Sequence, residues 1–266
     1  MRLQGQKILV TGGGRGIGRT IALAMAREGA DLIIAADVGT EVSSAVREIE
    51  GLGRRAMGHV LDITDSEQVN RFAESVENQF GKVNILVNNA GVVGKRFFVF
   101  QSDDAVWRRT IEVNLFGTYY CTKAFLPQII EHRKGRIINI ASISGKQASP
   151  TNSAYAASKH AVIGLTRTVA AELGLLGLTE ITCNAICPGV TDTDMLSGPG
   201  MILDELARLL GTTREKVVEE RIKTMNIQHR IMEPEEIAAM AVFLASDDAR
   251  GITGQAINVC GGSVFY

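Results

Sequence analysis

Four cysteines in 266 residues, at positions 121, 183, 187 and 260, are too few and too scattered for a disulfide framework. Only Cys183 and Cys187 are close, and their Cys-x3-Cys spacing is not the Cys-x2-Cys of zinc or redox sites. The four histidines do not cluster, so no metal is expected, and the thiols should be reduced and mostly buried in a cytoplasmic protein. Net charge is also missing: 28 Lys and Arg against 29 Asp and Glu leave −1. That balance offers no electrostatic footprint for nucleic acid or an anionic membrane. No apolar run approaches the roughly 20 residues that span a bilayer. The start, MRLQGQKILVTGGG, has neither an apolar signal core nor a cleavage site. Prolines number only 5, whereas 28 glycines accompany 45% hydrophobic and 21% charged residues. This is the profile of a soluble α/β protein with a substantial core.

Apolar, β-branched runs at 7–12, 31–36, 55–62, 83–89, 136–142, 181–189 and 256–262 predict seven strands. Helical patterns at 18–29, 41–53, 66–81, 104–131, 154–174 and 233–247 lie between them. Nearly continuous apolar strands require a sheet covered on both faces, and alternation with helices makes the crossovers parallel and right-handed. A doubly wound, seven-stranded parallel sheet is therefore expected, as one domain over 1–266, because no linker or repeat divides the chain. The rhythm breaks at about 191–232, where helical pieces at 201–211 and 213–223 intervene between strands six and seven. An insertion after a strand's carboxyl end usually covers a ligand site, so this segment is read as a lid.

Chemistry concentrates at a few places. The first strand ends in Thr11-Gly-Gly-Gly-Arg-Gly-Ile-Gly18 and runs straight into a helix. Tight turn, bare backbone and helix N-terminal amides suit a phosphate. Gly12, Gly16 and Gly18 give Gly-x3-Gly-x-Gly rather than the strict Gly-x-Gly-x-x-Gly. Asn88-Asn89-Ala90-Gly91 closes strand four, Asn114 lies in a helix, and Pro188-Gly189 closes strand six. Ser142, Tyr155 and Lys159 stand as Ser-x12-Tyr-x3-Lys. On a helix, Tyr155 and Lys159 share one face, a turn apart. A free phenol titrates near 10, and an adjacent ammonium should pull that value down into useful acid–base range.

In this order and spacing, the TGGGRGIG turn, Asp62, the NNAG run, Asn114, Ser142, Tyr155, Lys159 and the PGVTDT segment resemble the short-chain dehydrogenase/reductase family over essentially the whole chain. The resemblance implies a Rossmann-like NAD(P)-binding domain and hydride transfer between nicotinamide and a secondary alcohol or ketone. Tyr155 would exchange the proton with the substrate oxygen, Ser142 would hydrogen-bond that oxygen, and Lys159 would lower the Tyr155 pKa and hold the nicotinamide ribose. Asn114 would position a water linking Lys159 to solvent. Gly12, Arg15, Gly16, Ile17 and Gly18 would cradle the pyrophosphate, and Asp62 and Ile63 would meet the adenine. Asn89, Ala90 and Gly91 would lie along the cofactor, with Pro188, Gly189, Val190 and Thr193 near the carboxamide or phosphate. Equivalent helices in the family build a dimer interface, so a homotetramer is expected, with a dimer as the alternative.

Two signals compete over the nicotinamide. Asp37, just past strand two, would bind an adenosine ribose 2′-hydroxyl and repel a 2′-phosphate, although NAD-using members usually carry the acid one residue earlier, at Ala36 here. Arg15 can pair with a 2′-phosphate. The acid weighs more, so NAD is expected, with NADP as the alternative. For substrate, a small polyol, sugar, hydroxy acid or similar alcohol is preferred over a 3-oxoacyl thioester, because the lid is long for a compact acyl reductase. A non-catalytic nucleotide sensor is the rival of another class, and the retained Ser–Tyr–Lys set argues against it. Lys95 and Arg96 read as a solvated loop pair that could otherwise greet an acidic substrate. His160 points about 100° away from Lys159 on a helix and reads as a packing or interface residue.

Overall fold

In a computed structural model of residues 1–266, all seven expected strands form one parallel sheet ordered β3-β2-β1-β4-β5-β6-β7. They are β1 (Lys7–Thr11), β2 (Asp31–Ala36), β3 (Ala56–Val60), β4 (Ile85–Asn88), β5 (Gly135–Ile140), β6 (Ile181–Pro188) and β7 (Ala256–Val259). The helices are α1 (Gly16–Arg27), α2 (Gly39–Gly51), α3 (Ser66–Gln79), α4 (Asp104–Ile111), α5 (Thr118–Glu131), α6 (Ser153–Leu175), α7 (Asp194–Ser197), α8 (Ile202–Leu210), α9 (Arg214–Val217) and α10 (Pro234–Ala245).

Alternating strand residues feed two separate cores. Ile8, Val10, Ile85, Val87, Ile138 and Ile140 pack with α1, α2 and α10. Leu9, Leu86 and Ile137 pack with α3, α5 and α6 on the opposite face. This two-sided demand is why the strands read as unbroken apolar runs. Only the edge strands β3 and β7 are partly exposed along their length. Strand order reverses between β1 and β4, both central, so a crevice opens at their carboxyl ends. Ligands of doubly wound sheets bind at such a switch point.

Two helical expectations need correction. The pattern at 104–131 is not one regular α-helix: Glu112–Gly117 forms a π-helical turn between α4 and α5. Asn114 sits in that turn and turns its amide away from the helix toward the end of β4. The stretch 213–223 likewise holds only the four-residue α9, then a π turn over Val218–Ile222. The segment after β6 is pinned at its neck. Met232 N donates to the Val190 carbonyl and Asp192 N to the Met232 carbonyl, each at 2.9 Å. Leu196, Leu203, Val217 and Ile222 form a small core of its own, against which Ile202 and Leu206 pack. Of the apolar residues on this segment, Leu196 therefore holds the segment together rather than facing a ligand.

Candidate active site

The glycine turn follows from contact geometry. Gly12 and Gly16 have φ of 61° and 52°, the left-handed region that favours glycine. Gly18 has no room for a side chain: a Cβ there would lie 2.2 Å from the Gly12 carbonyl oxygen and 2.3 Å from Asn89 Nδ2. Asn89 Nδ2 itself donates to the carbonyls of Thr11 and Gly12, at 3.1 and 3.0 Å. Thr11 Oγ1 accepts from the amides of Asn89 and Ala90 at 3.0 and 3.2 Å. The glycine turn and the NNAG run are thus laced into one surface.

Helix α1 starts with no side-chain cap and no acidic residue in its first turn. Its N-terminal amides therefore suit an anion such as a dinucleotide pyrophosphate. Ile17 is partly buried and packs against the core beneath the turn. Thr193 stands across the turn, its Cγ2 3.6 Å from where a Gly16 Cβ would be. Asp37 is exposed at the end of β2. Arg15 is exposed and lies 3.6 Å from Glu41 on α2. Asp62 holds Thr64 through its backbone amide and hydroxyl, at 2.9 and 2.7 Å. Ile63 is buried against Gly117 and can offer a ligand only backbone. Pro188 is buried at the end of β6, and Gly189 is pressed against Cys260, where a Cβ would come 2.9 Å from its Cα. Val190 packs on the small core of the 191–232 segment.

Asn114, Ser142, Tyr155 and Lys159 converge at the carboxyl ends of β4 and β5. Asn114 clamps Val92, accepting from its amide at 2.8 Å and donating to its carbonyl at 2.9 Å, and donates its other proton to Ser158 Oγ at 3.0 Å. A Cβ on Gly91 would lie 3.1 Å from Asn114 Oδ1 and 3.6 Å from Lys159 Nζ, so both polar atoms line the same glycine. Ser142 starts a single helical turn, where its Oγ accepts from Ser144 N at 3.1 Å. Its hydroxyl proton is left to donate into the crevice, where the Tyr155 phenol is within its reach.

Lys159 Nζ is buried and donates to the Ile140 carbonyl at 2.8 Å. It lies 5.6 Å from the Tyr155 ring centroid. Burial pulls the ammonium down to a pKa of about 8. The expected lowering of Tyr155 is not found: burial raises the phenol, while a hydrogen bond with Ser142 and the charge of Arg96 pull the other way. The low-dielectric crevice outweighs the helix-turn neighbour because it disfavours both charged forms.

Arg96 is the site residue that sequence reading undervalued. It is half-buried, not a solvated loop residue, and its charge acts on Tyr155. Lys95, by contrast, is exposed, and so is His160, whose Nδ1 lies 2.9 Å from the Ala156 carbonyl. All four cysteines are free and buried, as expected.

The short-chain dehydrogenase family model matches residues 6–199. The chain belongs to this family. Over 266 residues, all of both chains, it is 37% identical to the 3-oxoacyl-(acyl-carrier-protein) reductase FabG of Thermotoga maritima. Among solved structures, carveol dehydrogenase from Mycobacterium avium in complex with NAD superposes with a TM-score of 0.92 at 28% identity, covering 98% of each chain. A substituted actinorhodin polyketide ketoreductase with NADPH gives 0.90 at 32% identity and 98% coverage of each chain. This short-chain dehydrogenase is an NAD(P)-dependent oxidoreductase of CH–OH and ketone groups. No helix is long and apolar enough to cross a membrane.

Proposed function

We propose that the crevice interconverts a secondary alcohol and its ketone by way of Tyr155, on a small polyol, sugar, hydroxy acid or similar substrate. The observation that carries this is the convergence of the Tyr155 phenol, the Ser142 hydroxyl and the buried Lys159 ammonium at one end of the sheet. In reduction, charge develops on the carbonyl oxygen and needs positioned donors. Ser142 Oγ–H holds that oxygen, and Tyr155 Oη delivers the proton; in oxidation the phenol side receives it. Lys159 supplies positive charge beneath the phenol and reaches toward the ribose of the dinucleotide. Asn114 acts chiefly by fixing the Gly91–Val92 backbone, with the remaining acceptor capacity of Oδ1 available for a water beside Lys159. The nicotinamide, when bound, supplies or accepts the hydride. Gly12, Gly16, Gly18 and the α1 amides would hold its pyrophosphate, while Asn89, Ala90, Gly91, Pro188, Gly189, Val190 and Thr193 would line the rest.

NAD is the proposed cofactor. Asp37 is exposed just past β2, which supports its reading as the partner of a ribose hydroxyl, and Arg15, the candidate partner for a 2′-phosphate, faces Glu41. The 191–232 segment serves as the cover of the substrate. Initial rates with NAD(H) and NADP(H), over a panel of polyols, hydroxy acids and an acetoacetyl thioester, test these assignments together. NAD(H) should give at least about tenfold higher kcat/KM, since repulsion between like charges, the Asp37 carboxylate and a 2′-phosphate, is worth about that much at close range. A tenfold advantage for NADPH overturns the cofactor choice. The full-length likeness to a 3-oxoacyl reductase favours a second reading, and preference for the thioester would select it.

The protein is further proposed to work in the cytoplasm as a homotetramer. Four unpaired thiols suit a reducing compartment. Trp107, Phe116 and Tyr119 are exposed along α4 and α5, and Phe265 and Tyr266 are exposed near β7. Such apolar patches ask for cover. Light scattering should give about four times the 28.6 kDa chain mass; a concentration-independent monomer contradicts the assembly.

A further inference from the structure

Arg96 lies just past the NNAG run and reaches over the loop that leads into α6. Its Nη1 donates to the Pro150 carbonyl and to Thr151 Oγ1, each at 3.3 Å. The backbone is tied to the same loop, with Phe97 N donating to the Thr151 carbonyl at 2.8 Å. From above, Arg208 on α8 donates to the Arg96 carbonyl at 3.4 Å. Arg96 thus joins the floor that carries Tyr155 to the helical segment that covers it.

The rest of the guanidinium is unused. Nε is buried and has no hydrogen-bond partner, and Nη2 donates to no group of the chain. Nε and Nη2 form one edge of the planar fork, the spacing of which matches the two oxygens of a carboxylate. Leaving a buried donor of a charged group unmade is costly, so such groups in folded proteins ordinarily have a partner. The carboxylate that acts on Arg96 from within the chain is Glu205, but its oxygen is held by Arg208 at 2.9 Å. The Tyr155 phenol is close enough for its charge and that of Arg96 to act on each other. An anion taken up on this unpaired edge would therefore lie near the group that exchanges the proton.

Resting on the reading of Tyr155 as that proton-exchanging group, we propose that the Nε/Nη2 edge of Arg96 receives a carboxylate of the substrate. The substrates are then hydroxy acids and oxo acids rather than uncharged alcohols or acyl thioesters. Arg96 is a specificity-determining residue in this scheme: it orients the acid so that its carbinol carbon faces the crevice and its hydroxyl reaches Ser142 and Tyr155. A neutral ester carbonyl offers the fork only one oxygen and no charge, so it binds more weakly.

The experiment measures kcat and KM for both enantiomers of 2- and 3-hydroxybutanoate and for their methyl esters. Wild type is compared with Arg96→Gln, which keeps the stem and removes the charge, and with Arg96→Lys. Calorimetric titration of the same acids into NADH-loaded Tyr155→Phe protein, with and without Arg96→Gln, reads binding apart from turnover. Thermal midpoint and NADH affinity, unchanged, show that the variants fold. Wild type should prefer an acid over its ester by at least about tenfold in kcat/KM. Arg96→Gln should cost the acid about 10- to 100-fold, mainly in KM and with a parallel loss of affinity, as expected for a charged hydrogen-bonded pair. The esters should change less than about threefold, and Arg96→Lys should recover part of the acid's loss. Equal losses on acid and ester overturn the proposal, because they mean that Arg96 acts on Tyr155 or the loop. Turnover of esters but not acids also overturns it while leaving the alcohol–ketone reading intact. If wild type binds NADH yet converts no alcohol of any kind, that reading fails, and acid binding indifferent to Arg96 then removes this one as well.

Discussion

Tyr155→Phe should lower kcat by at least about 10³-fold while changing cofactor affinity by less than about twofold. Positioned acid–base groups contribute about 10²–10⁴-fold, and in the proposed mechanism the same oxygen is both the proton donor in reduction and the acceptor in oxidation. The substitution removes only that oxygen. The ring still fills its place on α6, Lys159 keeps its bond to the Ile140 carbonyl, and Ser142 keeps its bond from Ser144 N. The phenol hydroxyl donates in none of the bonds that shape the glycine turn. Cofactor affinity should therefore be nearly untouched. Initial rates in both directions, set beside fluorescence titration of NADH, check the two halves independently. Activity within tenfold of wild type would sink the assigned mechanism. Loss of NADH binding together with activity would make Tyr155 a structural residue instead.

Much of this site was legible in the sequence because its geometry is local. Tyr155 and Lys159 are one helical turn apart, and seven apolar runs with intervening helices leave few ways to arrange a parallel sheet. The glycine turn was legible for the same reason: Gly12, Gly16 and Gly18 mark backbone that cannot carry a Cβ. What escaped depends on depth and on long-range packing. Residues 112–117 suit a regular helix as well as the π turn, and the choice is made by Asn114 reaching Val92, 22 positions away. The direction of the Tyr155 pKa also depends on how deeply the crevice is enclosed, which spacing along α6 does not encode. Arg96 looked like a loop residue because its partners, Pro150 and Thr151, are more than 50 positions distant. Leu206 shows the reverse difficulty. Helical periodicity marks apolar residues without saying whether they face a ligand or each other, and Leu206 packs on the segment's own core.

Lys159→Met should make the protein more stable at pH 7 while removing turnover. The ammonium is only 5% exposed, its hydrogen bond is to a neutral carbonyl, and no carboxylate pairs with it. Holding the group at about 8 instead of 10.5 costs about 3 kcal/mol whenever it is charged in both the folded and unfolded chain. Met nearly matches the length of the lysine stem and brings no charge. Part of the gain is lost because the Ile140 carbonyl gives up a donor, a change of about 1 kcal/mol. The net is about 2 kcal/mol, or about 4–8 °C in thermal midpoint for a chain of this size. The pH dependence identifies the cause. Because the folded pKa is depressed, the unfolded chain binds more protons between about 8 and 10.5, so wild-type stability gains from this group as pH rises through that window. The advantage of Lys159→Met is therefore full below about pH 8 and closes toward 10.5. The buried thiols of Cys121 and Cys183 are raised and destabilise both proteins as pH rises through the ordinary thiol range, so they largely cancel in the difference, whereas Cys187, raised by burial and held lower by the Lys159 charge, adds to the closing of the advantage at high pH. Denaturant melts of the two proteins at pH 7 and pH 10 decide the matter. A variant less stable by the same amount at both pH values would mean that Lys159 is a packing residue whose charge costs the fold nothing. The expected result instead has opposite signs for stability and catalysis, as follows when a positive charge is buried where a phenol must give up its proton.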